Sequence, residues 1–326
     1  MRYRELGKTG ITVSEIGLGT WQIGGPYRLG GRQIGWGDID DRTAREVLKS
    51  AVDSGITFFD TADVYGGGRS EALIGETLGS VRDEIVISSK VGNREGPEGG
   101  AAKDFSRAWI REGCEASLRR LKSDYIDVYH LHSPPSEFEY SEEVVGTLEE
   151  LRREGKIRSY GISILPPGRG KRPSDFGMQV LESGRRCDFF QVVYNMLERE
   201  AEEYLLPACA ERGVGVIARV PFQSGFLTGK MRPDTEFAEN DVRAARYTPE
   251  KKRAVLEQVE RLRFLSGEGK RSLAQAALQF CLAAPGVSTV IPGARSPEQV
   301  KANADAVDAE PLSEEEHRRI REVLSD

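Results

Sequence analysis

The 326-residue chain predicts an α/β protein, a (β/α)8 TIM barrel with an N-terminal β-hairpin and long loops over its C-terminal mouth. Three observations predict this fold. Short apolar runs alternate with amphipathic helical patterns along the whole chain, there are eight such units, and no low-complexity linker interrupts them. Residues 1–326 are therefore read as a single domain. Parallel strands between helices need cover on both faces, and eight units close most naturally into a barrel.

The elements follow in order. Arg2 to Leu6 and Ile11 to Val13 bracket Lys8-Thr-Gly10 as a hairpin. Strands are expected over Ile16–Thr20, Thr57–Phe59, Glu84–Val91, Tyr125–Leu131, Ile157–Ile162, Phe189–Tyr194, Val214–Val220 and Val287–Ile291. Helices are expected over Arg42–Ser54, Glu71–Leu78 with Ser70 as N-cap, Ser106–Leu121, Ser141–Glu154 and Ser174–Ser183. Further helices are expected over Ala201–Arg212, Pro249–Leu265, Ser272–Ala283, Pro297–Ala306 and Ser313–Leu324. Three long segments lack core periodicity: Gln22–Asp41, Gly92–Lys103 and Gln223–Thr248. In a barrel such loops at strand C-termini cover the active site. An open doubly wound sheet is the competing architecture, but Gly17-Leu-Gly19-Thr-Trp21 lacks the third glycine and the helix of a dinucleotide-binding turn.

Composition narrows the function. Hydrophobic residues make up 38% and charged residues 30%, a globular balance. The net charge of −6 offers no broad basic face for nucleic acid, although a small anion needs only a few local cations. No run approaches a membrane span. Met1–Ile16 has no apolar signal core, so a cytoplasmic location is expected. Cys114, Cys187, Cys209 and Cys281 are widely spaced and read as buried thiols.

The chemistry lies at strand ends. Asp60 ends the second strand, Lys90 the third and His132 the fourth, and Tyr65 follows Asp60 by five residues. All four converge on one mouth of a barrel. Lys90 and Asp60 supply each other's counter-charge. A cation beside Tyr65 favours its phenolate and is expected to lower its pKa from about 10. Such a phenol protonates a carbonyl oxygen as charge builds there, and His132 orients that carbonyl. None of the four is a hydride source, so reduction requires a cofactor.

The run Asp60-Thr-Ala-Asp-Val-Tyr65-Gly-Gly-Gly-Arg-Ser-Glu71, with Lys90 closing Ile85-Val-Ile-Ser-Ser and His132 closing Asp127-Val-Tyr-His-Leu, resembles the signature of the aldo-keto reductases. The resemblance runs from Leu18 to Asn303, and Ala218-Arg-Val-Pro221 is shared with bacterial members resembling potassium-channel beta subunits. It implies NADPH-dependent reduction of aldehydes and ketones, a small-molecule carbonyl partner, Tyr65 as general acid, Lys90 and Asp60 as its tuning pair and His132 as orienter. It also implies cofactor positions at Gly19, Thr20, Trp21 and Asp60, and at Ser163 and Gln191 around the carboxamide. Pro221, Phe222, Ser224, Gly225 and Lys230 resemble the pyrophosphate loop. Gly293, Arg295, Gln299 and Asn303 resemble the adenosine end, with a helix N-terminus at Ser296 suited to phosphate. Ile164 replaces a common Asn, Arg219 replaces an aromatic that stacks on the nicotinamide, and Gln299 replaces an Arg that clamps the 2′-phosphate. Arg295 remains as the candidate clamp, and NADH stays open as an alternative cofactor.

Two other readings are weighed. His130-Leu-His132 has metal-ligand spacing, but the chain has three histidines and the third is His317, so His130 is expected to pack below the site with no metal bound. A slow redox sensor that binds NADPH without steady turnover is the second.

Overall fold

A computed structural model describes residues 1–165, 172–267 and 271–324. Eight parallel strands form one sheet in sequential order. They are β1 (Leu18–Gly19), β2 (Phe58–Asp60), β3 (Val86–Val91), β4 (Ile126–His132), β5 (Ile157–Ser163), β6 (Phe189–Val193), β7 (Gly215–Arg219) and β8 (Val287–Ile291). Parallel bridges Ile16↔Val290 and Gly19↔Gly293 join β1 to β8, and Gly17 N donates to Val290 O at 2.8 Å. The sheet thus closes as the expected barrel.

Helices α1 (Asp41–Asp53), α2 (Arg69–Leu78), α3 (Arg107–Leu121), α4 (Glu142–Arg153), α5 (Pro173–Glu182), α6 (Leu205–Arg212), α7 (Leu273–Ala283) and α8 (Pro297–Ala304) follow the successive strands. Their apolar stripes pack on the outside of the sheet in one continuous core. Two further helices, Pro249–Arg261 and Glu314–Val323, lie in the β7–α7 connection and near the C-terminus. Ser106, Ser141, Ser272 and Ser313 cap the helices they precede. Among the described residues no helix is long and apolar enough to cross a membrane. All four cysteines are free and buried.

The hairpin, Tyr3–Glu5 with Thr12–Ser14, closes the N-terminal end of the barrel. Leu6, Ile11 and Val13 pack there against Phe58, Val86, Val128, Phe189 and Ile217. The charged groups of the interior, Asp60 and Lys90, lie towards the opposite mouth.

Several expectations need correction. Ser70 does not cap α2, whose N-cap is Gly68. Its hydroxyl instead donates to Thr20 Oγ1 at 2.7 Å and accepts from Thr61 Oγ1 at 2.9 Å. The helix expected over Ala201–Arg212 is a 3-10 turn, Glu200–Glu202, followed by α6. Pro207 has no N–H for a continuous ladder and fits only the first turn. The helix expected to run to Leu265 ends at Arg261 and becomes a 3-10 turn, and α8 stops at Ala304 before another. The long segments carry structure of their own: hairpins at Arg28–Leu29 with Arg32–Gln33 and at Asn93–Glu95 with Ala101–Lys103, and a helix at Val242–Arg246.

Candidate active site

Strand alternation builds the site in layers. Two residues above Phe58 lies Asp60. Above Val86 come Ser88 and Lys90, above Val128 come His130 and His132, above Phe189 comes Gln191, and above Ile217 comes Arg219. An apolar floor therefore carries a polar storey that opens at the C-terminal mouth.

The polar storey is one hydrogen-bonded network. Lys90 Nζ donates to Asp60 Oδ2 at 2.7 Å and to Thr61 O at 2.6 Å. The Lys90 side chain is 0% exposed and that of Asp60 3%, so neither charge is tolerable without the other. Asp60 Oδ1 accepts from Ser88 Oγ at 2.8 Å and from Gln191 Nε2 at 2.7 Å. Because the Ser88 hydroxyl proton goes to Asp60, the His130 Nε2 at 2.7 Å from Ser88 Oγ must carry the donated proton. His130 also meets the Phe189 ring at 4.7 Å, the packed position expected for it. Among the described residues no group of three or more His, Cys, Asp and Glu side chains is arranged to hold a metal.

Tyr65 is delivered by the turn that follows β2. Gly66, Gly67 and Gly68 have φ of 62°, 63° and 94°, and a Cβ on Gly66 would lie 2.1 Å from Gly24 O. Only glycine allows that backbone. The phenol ring then stacks on Trp21 at 5.8 Å, meets His132 edge-on at 6.0 Å, and has Lys90 Nζ 5.0 Å from its centroid. Burial raises the phenol pKa above 10; Lys90 pulls it down, Asp60 pushes it up and Arg219 pulls it down again. The expectation of a lowered value is therefore corrected: the cation acts in the expected direction, but desolvation outweighs it. Burial and then the Lys90 charge hold His132 well below 6.5, so its ring is neutral at pH 7.

Above this layer opens a cavity of about 1220 Å3. Asp60, Tyr65 and His132 sit in its wall, while Lys90 lies beneath it, fully buried. Gly19, Thr20, Trp21, Gln191, Arg219, Pro221, Phe222, Ser224, Gly225, Lys230, Gly293, Arg295, Gln299 and Asn303 all line it. Ser163 does not: it is buried behind the wall and donates to Gln191 Oε1 at 3.2 Å. Thr20 Oγ1 is likewise engaged, donating to Asp60 O at 2.8 Å.

Arg219 reaches past β6 to the residue after β5, where Nη2 donates to Ile164 O at 2.9 Å. The backbone of residue 164 is thus used, whatever its side chain. Arg219 Nε is buried and has no partner among the described residues. The loops after β1 and β7 meet over the mouth. Val242 N donates to Gly35 O at 2.9 Å, and the Arg243 guanidinium covers the Trp36 ring at 4.4 Å. From β8, Arg295 Nη1 donates to Trp36 O at 2.6 Å and Nη2 to Asp38 O. Val220 and Ser224 hold φ of 59° and 60° in the β7 loop. Positive φ is costly for a β-branched residue, and such strain clusters at functional sites.

The profile of the aldo/keto reductase family matches residues 15–325. The chain belongs to the aldo-keto reductase family. Its sequence is 32% identical to an NADH-specific methylglyoxal reductase of Escherichia coli, covering 99% of this chain and 98% of that one. It is also 32% identical to a probable voltage-gated potassium channel subunit beta of Arabidopsis thaliana, covering 96% and 93%. The holo form of an aldo-keto reductase from Bacillus halodurans superposes with a TM-score of 0.78 at 34% identity, over 99% of this chain and 96% of that one. The channel-subunit likeness agrees with the branch that Ala218-Arg-Val-Pro221 indicates.

Polar residues at strand ends revealed Asp60, Lys90 and His132 in the sequence, but Lys103 and Asn195 were missed. Lys103 Nζ donates to His132 O at 2.6 Å and lines the cavity. Asn195 Nδ2 donates to Val220 O at 3.1 Å, holding the strained start of the β7 loop. A polar residue just past β6 was the only available signal for Asn195; Lys103 had none beyond its charge.

Proposed function

We propose that this family member is an NADPH-dependent oxidoreductase that reduces aldehydes and ketones to alcohols, with Tyr65 as general acid. The observation that carries the reading is the stack of Lys90 under Tyr65, with neutral His132 at its edge, at the base of a cavity large enough for a cofactor and a small substrate.

The lining fits a nicotinamide dinucleotide. Gly19 and Gly293 line it, the Arg219 Nε donor has no partner among the described residues, and Lys230 and Arg295 are cations facing the same space. When bound, that cofactor supplies the hydride. The chain's residues do the rest. Tyr65 Oη donates its proton to the carbonyl oxygen as negative charge develops there. Lys90, held by Asp60, stabilises the resulting phenolate. His132 orients the carbonyl by hydrogen bonding as a neutral ring. Trp21, stacked on Tyr65 and met edge-on by Trp36, covers one face of the phenol ring.

Two outcomes follow. Because His132 is already neutral, kcat/KM for an uncharged aldehyde should be flat between about pH 6 and 7, the range of an ordinary imidazole. A rate limb near pH 6.5 that disappears in His132→Gln would assign the ring an acid–base role instead. For the cofactor, Arg295→Ala should raise the Kd of NADPH about tenfold or more and that of NADH less, since a charge-assisted contact to a 2′-phosphate is worth roughly 1.5–3 kcal/mol. Equal losses for the two cofactors would remove Arg295 from that contact and leave it only its bonds to the Trp36 and Asp38 carbonyls. The reading as a whole is tested by carbonyl-dependent oxidation of NADPH.

A further inference from the structure

The cavity is far more cationic than the chain that encloses it. Its lining carries seven Lys and Arg side chains against two carboxylates, Asp60 and Glu298, in a protein of net charge −6. Asp60 is already neutralised by Lys90. Arg295 and Lys230 stand where the adenosine phosphate and pyrophosphate positions were expected. Lys103 stands elsewhere. It ends the hairpin between β3 and α3, and its ammonium is held at the C-terminal end of β4 by the carbonyl of His132. The candidate cofactor positions come from β1, β2 and the ends of β5 to β8, so Lys103 is on the side those positions leave free.

Lys103 has no carboxylate within ion-pair distance among the described residues, and neither does Arg219. Both cations act on the His132 ring. Burial lowers the Lys103 ammonium to about 8, and the carboxyl that acts on it is Asp63, on the turn that carries Tyr65. Burial and the Glu71 charge push the Asp63 carboxyl up to about 8, and one of its oxygens is buried without a partner. The cavity wall also carries the uncharged Asn93, Ala102, Val64, Leu29 and Trp36, with Arg32 as a further cation. An ammonium fixed beside the reaction centre and lacking a counter-ion is an anion-recognition device.

Building on the reductase reading, we propose that Lys103 sets substrate preference: the physiological substrate is a short carbonyl compound bearing an anionic group, carboxylate or phosphate, that pairs with the Lys103 ammonium while its carbonyl lies between Tyr65 and His132. Lys103 is a substrate-binding residue in this arrangement and takes no part in proton transfer.

The test compares matched anionic and neutral substrates: 4-oxobutanoate with butanal, and glyceraldehyde 3-phosphate with glyceraldehyde. The ratio of kcat/KM, anionic over neutral, is measured for the parent, Lys103→Met and Lys103→Arg. Loss of a charge-assisted contact should lower the ratio about tenfold or more in Lys103→Met, through KM, and Lys103→Arg should keep most of it. A fall for the carboxylate pair alone identifies an oxo acid, and a fall for the phosphate pair alone identifies a phosphorylated aldehyde. A purely structural role, acting through the His132 carbonyl, would lower both members of a pair together. An unchanged ratio in both pairs, with butanal still reduced, overturns the proposal and leaves the reductase reading intact. If no carbonyl is reduced at all, the reductase reading falls. The anion site is then judged by butyrate binding to the NADPH complex, followed by Trp21 and Trp36 fluorescence: a Kd unchanged in Lys103→Met overturns it.

Discussion

Tyr65→Phe is expected to retain NADPH binding and to lose about 10²- to 10⁴-fold in kcat, the range that a positioned general acid contributes. The substitution removes one oxygen and leaves the ring. The stack on Trp21 at 5.8 Å and the edge contact with His132 at 6.0 Å persist, so the cavity wall keeps its shape. The parent should show an alkaline limb in kcat/KM that lies above pH 10, because burial raises the phenol and Lys90 only partly opposes it. The sign is that of an acid: activity is full while the phenol is protonated and falls as pH rises through its pKa. Rapid-mixing measurement of cofactor oxidation checks the rate, and titration of cofactor fluorescence checks binding. Parental turnover in Tyr65→Phe would assign the proton to another donor.

Lys90→Met is expected to damage both stability and rate. Among the described residues its ammonium is the sole donor to Asp60 Oδ2, and it also satisfies Thr61 O. Removing it leaves an uncompensated carboxylate that is 3% exposed, at a cost of roughly 3–5 kcal/mol in unfolding free energy. Catalysis falls as well, because the phenolate loses the cation 5.0 Å from its ring. The double variant Lys90→Met/Asp60→Asn should recover part of the stability, since the buried charge is gone, while the rate stays low. Chemical denaturation and steady-state kinetics on the three variants separate the two effects. If the single variant were as stable as the parent, the pair would not be the structural element described here; if the double variant regained the rate, the cation would not act on Tyr65.

Period-two alternation and the placement of charge after an apolar run made Asp60, Lys90 and His132 legible, because both are local properties of a strand. Gln191 came from the family resemblance, not from the strand pattern. Ser70 misled because a serine before an apolar helical pattern has the form of an N-cap, whereas tertiary hydrogen bonds to Thr20 and Thr61 claimed its hydroxyl. Lys103 was hidden in a segment with no periodicity, and its place depends on a hairpin folding back onto the end of β4. Arg295 was seen as a phosphate candidate, but its grip on Trp36 and Asp38, more than 250 residues away in the chain, is a consequence of barrel closure. The net shift of Tyr65 was misjudged because neighbouring charges can be read from strand ends, while the extent of burial cannot.

The central claim is tested most directly by following nicotinamide absorbance with NADPH, and with NADH, against reactive aldehydes, ketones and 4-oxobutanoate. The account predicts carbonyl-dependent consumption, faster at limiting cofactor with NADPH and abolished in Tyr65→Phe. Tight NADPH binding with no consumption on any carbonyl would contradict it and would mark the protein as a cofactor-binding sensor.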